Sequence, residues 1–252
     1  MKIHYIGTGA DDWAFGKEVR GGEYRRKSAA VIDGQLLVDC APHTPLDALS
    51  EVREVLYTHV HNDHFDVPTL NALAKGRPLT AYLEAHTAER IRGLVSPDVT
   101  LVGLTAGETV ETGQGYRVTA LRANHWIPAH PQEQPFHYVI EREGSRIFWG
   151  ADGGWLLAET WARLRAFPPF DRIVLDGTLG DTEGDARVFS HNNLPMVRAM
   201  AAVFRAEGML KPGGKVFLTH ISRDSHYPRA ELTQILARDG LYAAYDDEED
   251  SF

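Results

Sequence analysis

The chain has 252 residues, 43% hydrophobic and 24% charged, with a formal net charge of −9 and one cysteine, Cys40. This suits a soluble globular protein with a sizeable core, expected as one domain over 1–252. It excludes a disulfide framework or a cysteine zinc site within one chain, and it argues against a general electrostatic grip on nucleic acid. No apolar run is long enough for a membrane span, and the start Met1–Gly7 lacks the apolar stretch of a signal peptide, so the expected location is cytoplasmic.

In chain order, strands are expected at Ile3–Ile6, Ala29–Ile32 and Gln35–Asp39, with Asp33-Gly34 as a hairpin turn between the last two. Cys40 ends an apolar run and reads as a buried structural thiol. Val55–Thr58 is a strand, Pro68–Lys75 a helix stopped by Gly76, Leu79–Leu83 a strand and Thr87–Leu94 a helix. Strands follow at Thr100–Val102, Thr109–Glu111, Tyr116–Leu121, His137–Arg142 and Arg146–Trp149. Leu156–Ala166 is a helix, Arg172–Leu175 a strand, and Leu194–Glu207 a long amphipathic helix with Pro195 in its first turn. Lys215–Leu218 is a strand, Pro228–Arg238 a helix and Leu241–Tyr245 a last strand; the acidic tail Asp246–Asp250 is expected to be solvated. The pattern is α/β with much antiparallel or mixed pairing, and two packed sheets with helices outside would bury both faces of each.

The most informative segment is Thr58–His64, which contains His59-x-His61-x-Asp63-His64, directly after the apolar run Glu54–Tyr57. Three imidazoles and a carboxylate this close suit a transition metal better than a core or a surface. Residues i and i+2 of an extended segment point the same way, so His59 and His61 can grip one ion. Asp63 and His64, past a turn, can address a second. Two ions about 3.5–4 Å apart form a hydrolytic clamp. Three further metal-competent residues each follow a predicted strand: His125, Asp152 and His220. Ligands delivered beyond the carboxyl ends of several strands fit the crevice an open sheet leaves there. Asp39 and Asp176, at strand ends, are candidates to orient metal-bound histidines.

Taken together, these motifs resemble the metallo-β-lactamase-fold superfamily, from the Gly7-Thr8-Gly9 turn to Thr219-His220. The resemblance implies a four-layer αβ/βα sandwich of two mixed β-sheets flanked by helices. It implies His59, His61 and His125 on one divalent ion, Asp63, His64 and His220 on a second, and Asp152 bridging, the ions being zinc or manganese. Within the superfamily the chain is similar to the phosphodiesterase branch, which includes the phosphoribosyl cyclic phosphodiesterase of phosphonate catabolism. The segments Asp176–Asp181 and Phe189–Pro195 carry this likeness, and His191 matches a histidine implicated in catalysis. The chain departs from many relatives at Asp11–Lys17, which has no cysteine, so no extra structural zinc is expected there.

The expected activity is hydrolysis of a small or cyclic phosphodiester by a metal-activated hydroxide, with Asp63 ligating an ion and orienting the hydroxide and His191 as the acid. His226, Arg223 and Trp126 are candidate substrate contacts, His130 a candidate for the pocket wall, and the basic stretch Arg20–Lys27 a candidate steering patch. The competing readings are a lactone or ester hydrolase, a cofactor-biosynthesis protein of the same fold, and an iron redox protein. The expected partner is a small molecule, not nucleic acid or membrane, with a homodimer implied by resemblance alone.

Overall fold

Fourteen strands and five α-helices form along the described residues, 1–11 and 22–252 of the computed structural model. The first sheet holds β1 (Lys2–Gly7), β2 (Ala29–Ile32), β3 (Leu36–Val38), β4 (Glu54–Leu56), β5 (Leu79–Glu84) and β6 (Val99–Leu104), with α1 (Val67–Ala74) and α2 (Ala85–Ile91) between its later strands. The second holds β7 (Thr109–Glu111), β8 (Arg117–Arg122), β9 (Phe136–Arg142), β10 (Ser145–Gly150), β11 (Phe170–Asp176), β12 (Leu210–Thr219) and β13 (Leu241–Ala243), with α3 (Ala158–Leu164), α4 (Leu194–Ala206) and α5 (Arg229–Ala237). The last strand, β14 (Glu249–Ser251), returns to the first sheet. The sheet orders are β14-β1-β2-β3-β4-β5-β6 and β13-β12-β11-β10-β9-β8-β7. Both are mixed: β3 to β6 and β10 to β13 pair parallel, and the remaining pairs are antiparallel.

Side-chain alternation along the strands builds the layers. Ala30 and Ile32 of β2 join Ile147 and Trp149 of β10 in the core between the sheets. Their neighbours Ala29 and Val31 face outward, where Leu70 and Leu73 of α1 and Ile91 of α2 cover them. On the other sheet, Phe148 and Ile173 face Leu194, Val197, Met200 and Phe204 of α4. The result is the expected four-layer αβ/βα sandwich.

Local chemistry sets the ends. Asn193 caps α4 by accepting from the Met196 N–H (3.0 Å), and Asp66 caps α1 by accepting from Thr69 (2.8 Å). Asp33 and Gly34 both take positive φ, as the short hairpin requires. Cys40 is buried, and burial pushes its thiol up to about 12, consistent with an inert structural role.

The tail departs from expectation. Glu249–Ser251 pairs antiparallel with β1, opposite Lys2–His4. Its charges are matched: Asp250 pairs with Arg172, and Asp246 accepts from the Thr8 N–H (2.9 Å) and the Arg26 N–H (2.7 Å). Partners distant in sequence convert an acidic stretch into an edge strand. β12 also starts at Leu210, five residues ahead of the expected Lys215, because Lys211-Pro212-Gly213-Gly214 continues as irregular extended chain. Two short helical turns, Leu46–Leu49 and Ala186–Phe189, are too brief to leave a periodic signal.

Candidate metal centre

Four strands end at one edge of the sandwich, and each delivers a piece of the site: β4 leads to His59–His64, β8 to His125, β10 to Asp152 and β12 to His220. Three residues there adopt left-handed backbone, Asp39 (φ 59°), Asp152 (φ 49°) and His220 (φ 55°). This conformation is uncommon outside glycine and marks functional turns.

Two donor sets result. His59, His61, His125 and Asp152 offer ligand atoms within 4.8 Å of one another, as do Asp63, His64, Asp152 and His220. His61 Nδ1 lies 3.0 Å from His59 Nε2 and 2.9 Å from His125 Nε2. Asp152 Oδ2 sits between the sets, 3.1 Å from His59 Nε2, 3.3 Å from His64 Nε2 and 3.6 Å from His220 Nε2. A third grouping places His191 and Asp176 beside Asp152 and His220.

The neighbours fix the tautomers. The Ser190 carbonyl can only accept, so His125 Nδ1 (3.1 Å) carries the proton and Nε2 presents a lone pair. Asp39 accepts from His64 Nδ1 at 2.8 Å. The Thr58 hydroxyl donates to Asp39 (2.9 Å) and accepts from His59 Nδ1 (3.0 Å). Thr178 does the same for His220, donating to Asp176 (2.8 Å) and accepting from Nδ1 (2.8 Å). Four imidazoles are thereby held with Nε2 turned inward, the arrangement that carboxylates and hydroxyls impose on metal-bound histidines. His64 Nε2 is buried without a hydrogen-bond partner, and Asp152 Oδ1 meets only imidazole nitrogens, His191 Nδ1 at 3.0 Å and His125 Nδ1 at 3.4 Å. Converging lone pairs, a central carboxylate and an orphaned buried nitrogen fit divalent cations.

The protonation equilibria agree. Burial and the neighbouring His125 hold His61 down at about 4. Burial lowers His59 strongly and His125 to a lesser degree. Burial opposes charge on His64 and His220 too, but Asp63 and Asp39 outweigh it at His64, and Asp152, Asp176 and Asp63 raise His220 to about 9. His64 and His220 in turn hold Asp63 well below the usual carboxylate range despite its burial. A bound cation would take the place of those protons.

Beside these donors lies a cavity of about 230 Å³, lined by His61, Asp63, His125, Asp152, His191 and His220 together with Trp126, Arg187, Ser222 and Asp11. His191 Nδ1 is 3.0 Å from Asp152 Oδ1 and 3.2 Å from Asp176 Oδ2. Burial is outweighed by these two carboxylates, which raise His191 to about 10.

A family model for the beta-lactamase superfamily domain matches residues 30–221. The chain belongs to the β-lactamase superfamily. A curated relative from Polaromonas sp., described as a UPF0173 metal-dependent hydrolase, is 32% identical over 128 residues, 45% of this chain. The match spans 46% of that relative's length. Among solved structures, Zn²⁺-bound PqqB from Methylobacterium extorquens is 18% identical, with a TM-score of 0.78 over 100% of both chains. A diphosphatase from the PhnP family is 19% identical (TM-score 0.72, 100% of this chain and 96% of that one). Human tRNase Z, short form, is also 19% identical (TM-score 0.66, 100% and 99%). These similarities show the metallo-β-lactamase fold.

Within this superfamily fold, the seven sequence-derived donors lie together and His191 stands next to them. Trp126 lines the cavity and is 59% exposed. His226 does not reach the cavity: it is buried and bonded to the Gly177 carbonyl, so its sequence proximity to His220 is misleading. Arg223 Nε lies 3.8 Å from Asp224 Oδ1. His130 turns to Glu133 (3.8 Å). Arg25 binds Thr8 and the Ala244 carbonyl, Arg26 the Ile6 carbonyl and Asp247, and Lys27 lies 3.8 Å from Asp11. Arg20 and the cysteine-free segment after Asp11 fall outside the described residues. Sequence reasoning missed Thr58, Thr178 and Arg187. The threonines had a signal, each lying one or two residues from a site residue; Arg187 had none. Among the described residues no helix is long and apolar enough to cross a membrane.

Proposed function

We propose that the protein is a dinuclear metal-dependent hydrolase that cleaves a small or cyclic phosphodiester. The observation that carries this reading is His191, an imidazole lining the same cavity as the donor cluster, with Nδ1 3.0 Å from Asp152 Oδ1 and 3.2 Å from Asp176 Oδ2. An expelled alkoxide needs a proton, and a histidine placed this way can give one. The descriptions of the Polaromonas relative as a metal-dependent hydrolase and of the PhnP-family neighbour as a diphosphatase support it.

In this reading His59, His61 and His125 would hold one zinc or manganese and Asp63, His64 and His220 the other, with the Asp152 carboxylate available to both sets. Bound there, such ions would make hydroxide available at neutral pH and offer positive charge to the phosphate oxygens. Asp63, kept ionised by His64 and His220, accepts a hydrogen bond from the attacking water and aims it. Asp39 and Asp176, through Thr58 and Thr178, keep the imidazoles in the binding tautomer. His191 passes its Nε2 proton to the leaving oxygen, and Asp152 and Asp176 hold the ring in place as it does so.

The test is turnover of a chromogenic phosphodiester by zinc- or manganese-loaded protein, with His61→Ala as control. Metal-dependent turnover lost in the variant is expected. Full metal binding with no phosphodiester turnover, but cleavage of a lactone or carboxylic ester, would replace the phosphodiester reading.

A further inference from the structure

A second cavity, of about 430 Å³, lies between α5 and the edge strands β13 and β14, and it shares no lining residue with the cavity beside the donors. Tyr5 and Phe217, from the core between the sheets, line it with Leu236 of α5 and with Leu241 and Tyr242 of β13. Aromatic rings run from the core to the surface here. Tyr5 stacks on Trp149 (centroids 6.3 Å apart), Phe217 lies 5.9 Å from Tyr5, and the 44% exposed Tyr242 lies 5.3 Å from Phe217. The charged groups of the wall are spent on partners. Glu248 pairs with Arg229, Glu249 with Lys2 (2.8 Å) and Asp250 with Arg172, while Lys215 sits 3.7 Å from Asp250 and over the Tyr242 ring. Thr233 and Tyr245 share a hydrogen bond of 3.2 Å. The Tyr5 hydroxyl differs: it is buried and has no hydrogen-bond partner. Burial holds its phenol far above the ordinary range, so the group is a neutral donor. Buried hydroxyls are nearly always paired, because leaving one unpaired is costly.

We propose that this cavity is a second small-molecule site, which takes a neutral aromatic compound carrying one hydrogen-bond acceptor. Its volume falls within the range of small-ligand pockets, roughly 300–1,000 Å³. The ligand ring extends the row of aromatic side chains through offset or edge-to-face contact. Its acceptor takes the Tyr5 hydroxyl proton in a hydrogen bond and so completes the one buried group of the wall that the fold leaves unpaired. The mutual pairing of the surrounding charges leaves little net pull on an ion, so the occupant is neutral. This site is independent of the reaction at the metal centre.

The test is an NMR titration of the full chain with four probes: acetophenone, toluene, cyclohexyl methyl ketone and benzoate. Acetophenone is expected to shift the backbone amide signals of Tyr5, Phe217 and Tyr242 saturably and to bind tightest of the four. Tyr5→Phe weakens acetophenone binding by about threefold to tenfold, the range of one neutral hydrogen bond, and leaves toluene binding unchanged. Ala243→Trp, which adds bulk to the wall, removes binding of both. No saturable shift at those residues overturns the proposal, as does equal acetophenone affinity in Tyr5→Phe and wild type. Tighter binding of cyclohexyl methyl ketone or of benzoate overturns the aromatic or the neutral character of the ligand, and with it the proposal. Tyr5→Phe removes an oxygen without a partner, so its urea midpoint should match or exceed that of wild type. A lower midpoint would mean that the hydroxyl already has a partner within the protein, and would also overturn the proposal.

Discussion

Asp39 touches no proposed ligand atom, yet the geometry ties it to one of the two proposed metal positions, through His64. Its carboxylate is fully buried and accepts from the Thr58 N–H (2.8 Å), the Thr58 hydroxyl (2.9 Å) and His64 Nδ1 (2.8 Å). Asp39→Ala leaves two buried N–H donors without acceptors, at about 1–3 kcal/mol each, or roughly 2–6 kcal/mol of stability. It also puts alanine at a φ of 59°, which asparagine and aspartate tolerate better. Asp39→Asn is the sharper perturbation. The amide keeps the shape and can still accept from Thr58, but its NH₂ faces His64 Nδ1 and forces the imidazole proton onto Nε2. The lone pair is then lost where the second ion would bind. Losses of such orienting partners weaken metal affinity by about 10- to 100-fold, or about 1.4–2.8 kcal/mol. Zinc titration against a chelating indicator measures this directly, and urea unfolding of the metal-free proteins measures the stability change. Asp39→Asn is expected to weaken one of two sites with little loss of folding stability, and Asp39→Ala to weaken both properties. An Asp39→Asn protein that binds two zinc ions with wild-type affinity would refute the tautomer reasoning.

Three further outcomes are expected. His191→Gln keeps metal binding but lowers phosphodiester turnover by about 100- to 10,000-fold and removes the alkaline limb of the pH–rate profile; unchanged turnover would remove its role as acid. Asp246→Ala deletes the acceptor of Thr8 and Arg26 and should lower stability by about 1–3 kcal/mol, seen as a lower urea midpoint at unchanged slope. In metal-free protein, His220 (about 9) and His191 (about 10) lie above the ordinary 6.5 when folded. A raised folded value contributes stability that is complete below the unfolded value and lost as pH climbs through the folded one. Thermal stability of chelator-treated protein should therefore fall from about pH 7 to about pH 10, and the fall should shrink with zinc bound; equal pH profiles with and without zinc would contradict this.

Most of the donor set was legible because its signal is local: a dense His/Asp motif and single His or Asp residues just past apolar runs. Periodicity also gave the layers, since each strand's alternation and each helix's apolar stripe is written within a few residues. What was not legible depends on contacts distant in sequence. The tail reads as a solvated acidic run until Thr8, Arg26 and Arg172 are folded against it. His226 lies six residues past His220 and was drawn into the site by that proximity, whereas the turn at Ser222–Ser225 carries it beneath Gly177. Arg187 follows no strand and belongs to no pattern, and only the fold brings its turn beside His125 and His191.

The most direct test of the central claim is phosphodiester turnover measured as zinc or manganese is titrated into metal-free protein. Turnover that is absent without metal, rises with the second equivalent and saturates at two ions per chain is the predicted result. Full turnover in rigorously metal-free protein, or none with two ions bound, would contradict it.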